Sequence, residues 1–252
     1  MNYKSLPYTQ TYISYPDITA LSRSLGLPPL PNPLNVPSHK PYLLPCIVHP
    51  HESIPNKSGA LAESWAIALH LEKDFPGTKS IFPNGHSSYA LALTVQRLVS
   101  VDVIRACFDL VAPGIPGILD PRGRAYFRRT RTADEGGIAP EDLAGSVEEK
   151  ARKWKKFERS LKVFLEMLRG QDGQGGGPFL EGREFGYADA VLVGVFAWFH
   201  RGDREGWKRI MALGDGQFIT LWKACEGWVE GQGEDKDWEW EGKGGVPEFE
   251  GE

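Results

Sequence analysis

Two short stretches hold residues whose type and placement suit them to grip a small charged peptide. The first is Leu43-Leu44-Pro45-Cys46-Ile47, a brief apolar run interrupted by proline. Proline gives no N–H to a strand ladder, so Pro45 belongs at the strand's first residue, after a cis bond. A cis Leu44–Pro45 bond turns the Leu44 backbone outward, where its N–H and C=O can pair antiparallel with an extended peptide. The second stretch is Glu63-Ser64, immediately ahead of a helical pattern. Unpaired N–H groups at a helix N-terminus, together with the Ser64 hydroxyl, can receive a carboxylate. A plain N-cap uses the same atoms, and Ser is among the best capping residues. The sequence leaves these two readings open.

Other side chains read less well as chemistry. His49 and His51 alternate, which puts both on one strand face as a metal pair. With no third ligand nearby in sequence, they read as surface histidines and no metal is expected. Cys46 follows the proline on a strand that should be buried, and reads as core rather than nucleophile. The basic run Ala151-Arg152-Lys153-Trp154-Lys155-Lys156 reads as the wet face of an amphipathic helix. Tyr89, Tyr126 and Phe127 suit a hydrophobic substrate site between domains, and suit helix packing equally.

The elements that must position these residues follow from the pattern. Thr9 to Tyr15 is rich in β-formers and reads as a strand, broken by Pro16-Asp17. Ile18 to Leu25 reads as a short helix closed by Gly26. Proline-dense Leu27 to Pro41 must be loop, and Leu43 to Val48 a short strand. From Ser64 the apolar positions repeat at three and four until Pro76-Gly77. Beyond that come only helices: Ser87–Leu110, Val147–Leu168, Tyr187–His200, Trp207–Leu213 and Phe218–Glu230. In Val147–Leu168, Trp154, Phe157, Leu161, Phe164, Leu165 and Leu168 form one stripe, with Lys153, Lys156, Arg159 and Lys162 outside it. A Gly-rich run at 170–177 precedes the Tyr187 helix, and the acidic, Gly-rich end carries Trp238 and Trp240.

Composition bounds the function. The chain has 252 residues, 41% hydrophobic and 25% charged, as a globular protein does. A net charge of −4 argues against a general nucleic-acid binder. No apolar run approaches the roughly 20 residues that span a bilayer. Three widely spaced cysteines indicate neither a disulfide framework nor a zinc cluster, and fit a reducing cytoplasmic setting.

Three stretches in order carry a resemblance: Leu43-Leu44-Pro45-Cys46-Ile47, then Ala62-Glu63-Ser64-Trp65-Ala66-Ile67, then Phe179-Leu180 to Phe185-Gly186-Tyr187-Ala188-Asp189-Ala190. Together they resemble the glutathione transferase superfamily. The stretches NYKSLPYTQTYISYPDI, ESWAIALHLEKDFP and DPRGRAYFRRTR are similar to fungal members related to the bacterial β-etherase group. The resemblance implies an α+β thioredoxin-like N-terminal domain, incomplete, over residues 1–77. A linker at 78–86 and an all-helical C-terminal domain at 87–229 should follow; by its composition the stretch 230–252 reads as a disordered acidic tail, the alternative being that Trp238 and Trp240 dock on the body. The resemblance further implies that Leu44, ahead of Pro45, holds the cysteinyl backbone of glutathione. Ser64 would take the γ-glutamyl carboxylate and Glu63 face the α-amino group. Lys40, or His39, would reach the glycyl carboxylate, while Tyr89 and Tyr126 line the substrate side. Asp189 is implied to be structural, in a capping box whose usual Ser or Thr is Gly186 here.

The same resemblance poses a difficulty. The thiol of glutathione is ordinarily activated by a Ser, Tyr or Cys at the end of a first strand, which should stand ahead of Asn2-Tyr3-Lys4. Tyr3 and Ser5 align beyond that turn, so no catalytic residue is assigned. An incomplete chain, a strand borrowed from a partner subunit, and a degenerate member are the alternatives. The expected function is accordingly glutathione conjugation of a hydrophobic electrophile, or glutathione-dependent cis–trans isomerisation, in fungal secondary metabolism. A non-catalytic ligand-binding or scaffolding protein is the other reading. Implied partners are glutathione and a hydrophobic small molecule, with a possible homodimer.

Overall fold

The computed structural model describes residues 1–32, 39–52, 54, 56–170 and 176–245. Part of the Pro-rich loop, most of the Gly-rich run and the last residues of the acidic end lie outside them. The first half-domain holds strand β1 (Thr9–Gln10), a 3-10 turn at Tyr15–Asp17 and helix α1 (Ile18–Ser24). Strands β2 (Cys46–Val48) and β3 (Ala60–Ala62) and helix α2 (Ser64–Asp74) follow. The expected strand at Thr9–Tyr15 is therefore short. Pro16 enters the 3-10 turn near its start, where a missing N–H costs nothing, and ends the extended run early. Pro45 stands just ahead of the first residue of β2, and the Leu44–Pro45 bond is cis.

Strand β3 escaped the sequence reading, because Ala60-Leu61-Ala62 is too short and too alanine-rich to show a period of two. It pairs antiparallel with β2, Cys46 facing Ala62 and Val48 facing Ala60. A small core of Leu21, Leu25, Leu27 and Ala60 lies beneath, with Ile13, Cys46, Val48 and Ala62 packed against it.

The helical part begins with α3 (His86–Leu98), a π turn at Val99–Val103 and α4 (Ile104–Val111). These are one continuous rod, close to the single helix expected, widened at its middle by the π turn. The short α5 (Ile115–Ile118), then α6 (Pro121–Asp134) and α7 (Val147–Arg169) follow. Helices α8 (Tyr187–Gly202), α9 (Arg204–Met211) and α10 (Gln217–Val229) complete the bundle. The α7 stripe is buried as expected at Trp154, Phe157, Leu161, Phe164 and Leu168, with Leu165 half-buried. Helix α7 starts in a capping box: the Glu149 N–H donates to Ser146 Oγ, and the Ser146 N–H donates to Glu149 Oε2 at 2.9 Å. Phe157 stacks on Phe199 of α8 with ring centres 5.2 Å apart. Each such ring contributes roughly 1.5–3 kcal/mol by burial, so α7 and α8 form the spine of this core.

Residues 2–4 and the segment 234–240 both dock on the body, so the expected disorder does not extend over these residues. Glu234–Asp235 forms β4, which pairs parallel with β1 as Thr9–Glu234 and Gln10–Asp235. Trp240 packs against the small core beneath β2 and β3. The composition hid this because two backbone pairs and one indole suffice where a charged strand needs no apolar face. At the other end, Asn2 Nδ2 donates to the carbonyls of Trp228 and Glu230, at 3.0 and 2.7 Å. Tyr3 lies 4.4 Å from the ring of Phe185 and 5.0 Å from that of Trp228. Lys4, only 4% exposed, donates to Glu72 Oε2 at 3.0 Å and to the Lys79 carbonyl at 2.9 Å. Residues 2–4 thus tie α10, α2 and the linker together.

Candidate ligand-binding site

The β2–β3 hairpin gathers the residues that the sequence separates. Cys46 pairs with Ala62 at one end of the hairpin, so Leu44-Pro45 enter β2, and Glu63-Ser64 leave β3, at that same end. Leu44 is 40% exposed, and its N–H and C=O lie outside the β2–β3 ladder. The two expected peptide-gripping stretches therefore flank one end of the sheet.

Glu63 takes φ 75° and ψ 119°, a conformation that non-glycine residues rarely adopt. Such strain persists where the surroundings impose it, and it clusters at ligand clamps. Here it turns the chain abruptly from β3 into α2, leaving the Glu63 side chain exposed. Glu63, not Ser64, is the N-cap, and no side chain caps the helix. The first intrahelical bond runs from the Ile67 N–H to the Glu63 carbonyl at 2.9 Å. The N–H groups of Ser64, Trp65 and Ala66 therefore have no intrahelical acceptor and point out of the helix end. The Ser64 hydroxyl does not cap α2, and it lies close enough to the phenol of Tyr187 to act on its acidity.

Tyr187 was missed as a site residue, since its sequence context showed only a helix start. Burial, with the nearby Glu63 charge, raises its pKa, so the phenol stays protonated near neutrality. Its ring joins an aromatic wall: Trp65 lies 5.3 Å from Tyr187, 5.3 Å from Tyr89 and 5.9 Å from Phe82. Tyr89 thus stands beside the Glu63–Ser64 turn. Tyr126 is half-buried on α6 and is not one of these rings. Phe127 is a core residue, 4% exposed, against Tyr15.

The basic side chains are directed elsewhere. Lys40 Nζ lies 3.4 Å from Asp134 Oδ1 at the end of α6. His39 Nε2 lies 3.1 Å from the Leu30 carbonyl. Asp189 is fully buried, and its carboxylate accepts from the Leu180 N–H at 2.8 Å and the Gly186 N–H at 2.9 Å. Gly186 has no side chain to return the bond, so only the Asp189 half of a capping box exists. Cys46 is half-buried with its thiol pKa raised by burial, against a nucleophilic role. A cavity of about 470 Å³ lies between α1 and Glu241–Gly245 and is lined by none of these residues.

Comparison with known proteins agrees with this arrangement. Residues 90–228 match the family described as glutathione S-transferase, C-terminal domain. A glutathione S-transferase-like protein, ustS, of Aspergillus flavus is 43% identical over 244 residues, covering 94% of this chain and 84% of that protein. A glutathione S-transferase of Ceriporiopsis subvermispora, solved in complex with glutathione, superposes with a TM-score of 0.78 at 27% identity, over 92% of this chain and 88% of that one. Glutathione transferase GSTFuA3 of Phanerochaete chrysosporium gives 0.75 at 29% identity, over 91% and 86%. With more than half of its length matched by the family and a relative this similar along nearly all of it, the chain belongs to the glutathione S-transferase family.

Proposed function

We propose that the protein binds glutathione at the end of the β2–β3 hairpin and uses its thiol on a hydrophobic electrophile. The observation that carries this is the Cys46–Ala62 pairing, which brings Leu44-Pro45 and Glu63-Ser64 to the same end of the hairpin. The outward N–H and C=O of Leu44 pair with the cysteinyl backbone, in the manner of an added strand. The γ-glutamyl carboxylate meets the N–H groups at the start of α2 and the Ser64 hydroxyl, where the helix dipole favours an anion. Glu63 faces the ammonium group of the same residue. Trp65, Phe82, Tyr89 and Tyr187 give the bound peptide an apolar neighbour. Lys40 takes the glycyl carboxylate by exchanging Asp134 for it, both being carboxylates.

The relative solved with glutathione supports the ligand. The aromatic wall supports a hydrophobic second substrate, and Tyr126, which stands apart from the wall on α6, is kept as an expected contact on the substrate side. Thiol addition to that substrate yields a conjugate. If the substrate has a conjugated double bond, addition, rotation and elimination yield its isomer and return glutathione. We place the reaction in fungal secondary metabolism and in the cytoplasm. Among the described residues no helix is long and apolar enough to cross a membrane, and Cys46, Cys107 and Cys225 are all free thiols. A homodimer is the assembly we expect.

The test is calorimetric titration of the full chain with glutathione, beside assays with an activated chloroarene and with a cis-configured conjugated enone, free thiol being counted before and after each. Saturable binding with thiol consumption supports conjugation. Binding with substrate change but constant thiol supports isomerisation. Absence of binding at millimolar glutathione refutes the proposal.

A further inference from the structure

A second group of chemistry-bearing side chains lies about 9 Å further along α2 from Ser64, at roughly 1.5 Å per residue. His70 and Asp74 are four residues apart on α2 and share one face. Both side chains are only 6% exposed, and His70 Nδ1 lies 2.8 Å from Asp74 Oδ2. His49, directly after β2, brings its Nδ1 to 2.8 Å from His70 Nε2. His51 stacks on His49, with ring centres 5.3 Å apart and planes within 9°, and its Nδ1 lies 3.4 Å from Asp74 Oδ2. Three imidazoles and one carboxylate thus converge from two elements that the sequence holds some twenty residues apart.

We propose that His49, His70 and Asp74, with His51 on the solvent side, bind a divalent first-row metal ion, Zn2+ being the best match. One donor atom from each of His49, His70 and Asp74 lies within 4.8 Å of the other two. Tetrahedral Zn2+, with ligand bonds of about 2.0–2.2 Å, needs donors about 3.3–3.5 Å apart. His49 Nδ1 and His70 Nε2 lie 2.8 Å apart and the whole donor set falls within 4.8 Å, so only small side-chain movements are needed to reach that value. Imidazole nitrogen with one carboxylate oxygen is a donor set that suits zinc. In this set the Asp74 charge offsets half that of the ion.

The loop that presents the two histidines is held in place. The His49 N–H donates to the Gly59 carbonyl at 2.8 Å, extending the hairpin by one step. Gly59 has φ +68°, and a Cβ there would lie 2.7 Å from the Pro50 Cα, so the chain closes on itself as only glycine allows. Asn56 Oδ1 accepts from the Ala60 N–H and from Ser58 Oγ, both at 2.8 Å. The gain is structural rather than catalytic in kind: the ion would clamp β2 to α2 in a unit whose clustered core, among the described residues, is the small set Leu21, Leu25, Leu27 and Ala60. Units so poor in core commonly rely on a metal or another cross-link.

The test uses the tag-free full chain, stripped with chelator and titrated calorimetrically with zinc chloride. Binding of one ion per chain with micromolar or tighter affinity is expected, with a rise in the urea unfolding midpoint. His49→Gln, His70→Gln and Asp74→Asn should each weaken binding about tenfold or more. His51→Gln, altering a 40% exposed side chain, should fold normally and weaken it severalfold. Co2+ should give the visible absorption of a tetrahedral nitrogen–oxygen site, lost in His49→Gln. Absence of binding in the micromolar range, or binding that His49→Gln and His51→Gln leave unchanged, overturns the proposal.

Discussion

Asp189→Asn tests how a buried carboxylate is balanced inside the helical core. The native carboxylate is fully buried and accepts two backbone N–H groups, from Leu180 and Gly186. Burial raises its pKa from 3.8 to about 6, and the Glu181 charge adds to this, while the two N–H bonds oppose it. The folded chain therefore binds this proton more tightly than the unfolded one. The resulting stabilisation is fully present below the unfolded value of 3.8 and is lost as pH rises through about 6. At roughly 1.4 kcal/mol per unit, the whole effect is about 3 kcal/mol. About 2 kcal/mol of it falls between about pH 4.5 and about pH 8. Asparagine has no proton to lose and presents one acceptor, leaving one of the two N–H groups without a partner at about 1–3 kcal/mol. Urea unfolding of both proteins, followed by tryptophan fluorescence, should show Asp189→Asn the less stable near pH 4.5. The gap should close by about 2 kcal/mol towards pH 8. Taking the difference between the two proteins cancels every other titrating group. A gap that stays constant, or widens with pH, would show that the N–H bonds outweigh burial and refute the reasoning.

Ser64→Ala should weaken glutathione binding roughly five- to tenfold, the worth of about one hydrogen bond, as read by calorimetry. Its unfolding midpoint should fall only slightly, by the hydroxyl's contact with the Tyr187 phenol, because the hydroxyl does not cap α2. Lys4→Met strands the Glu72 carboxylate, whose pKa otherwise lies below its usual value through bonds to Ser80, Ile81 and Lys4 that outweigh its own burial. A loss of about 3 kcal/mol in urea unfolding is expected, as for other broken buried pairs. Gly114→Ala should destabilise strongly, since the new Cβ would lie 1.7 Å from the Gly202 carbonyl oxygen. Circular dichroism melts should show a loss of several degrees or failure to fold.

How much of this was legible in sequence differs by element. The α7 stripe could be read because a single buried face imposes a period of 3.6 on Trp154, Phe157, Leu161 and Phe164. The Leu44–Pro45 and Glu63–Ser64 stretches were legible as types, but their arrival at the same end of one hairpin was not. It depends on β3, three residues long, whose register with β2 no local pattern records. The same hairpin explains the histidines. Read along the chain, His49 and His51 lack a third ligand. Read across the hairpin and onto α2, they have His70 and Asp74.

The disordered tail was misread for a related reason. An acidic, Gly-rich stretch cannot bury a face of its own, and Glu234 and Asp235 remain exposed. What holds them is β1, whose backbone groups they pair, and the small core that accepts Trp240. The order of this stretch is thus a property of the surface that receives it. Trp240→Ala should expose that dependence directly. Removing the indole should lower the urea midpoint by about 1–2 kcal/mol, from the apolar area that a half-buried Trp covers. It should also make the chain beyond Glu230 cleavable by protease under native conditions. Native-state cleavage there at equal rates in both proteins would mean that the β1–β4 pairing alone holds the segment, and that the small core gains nothing from it.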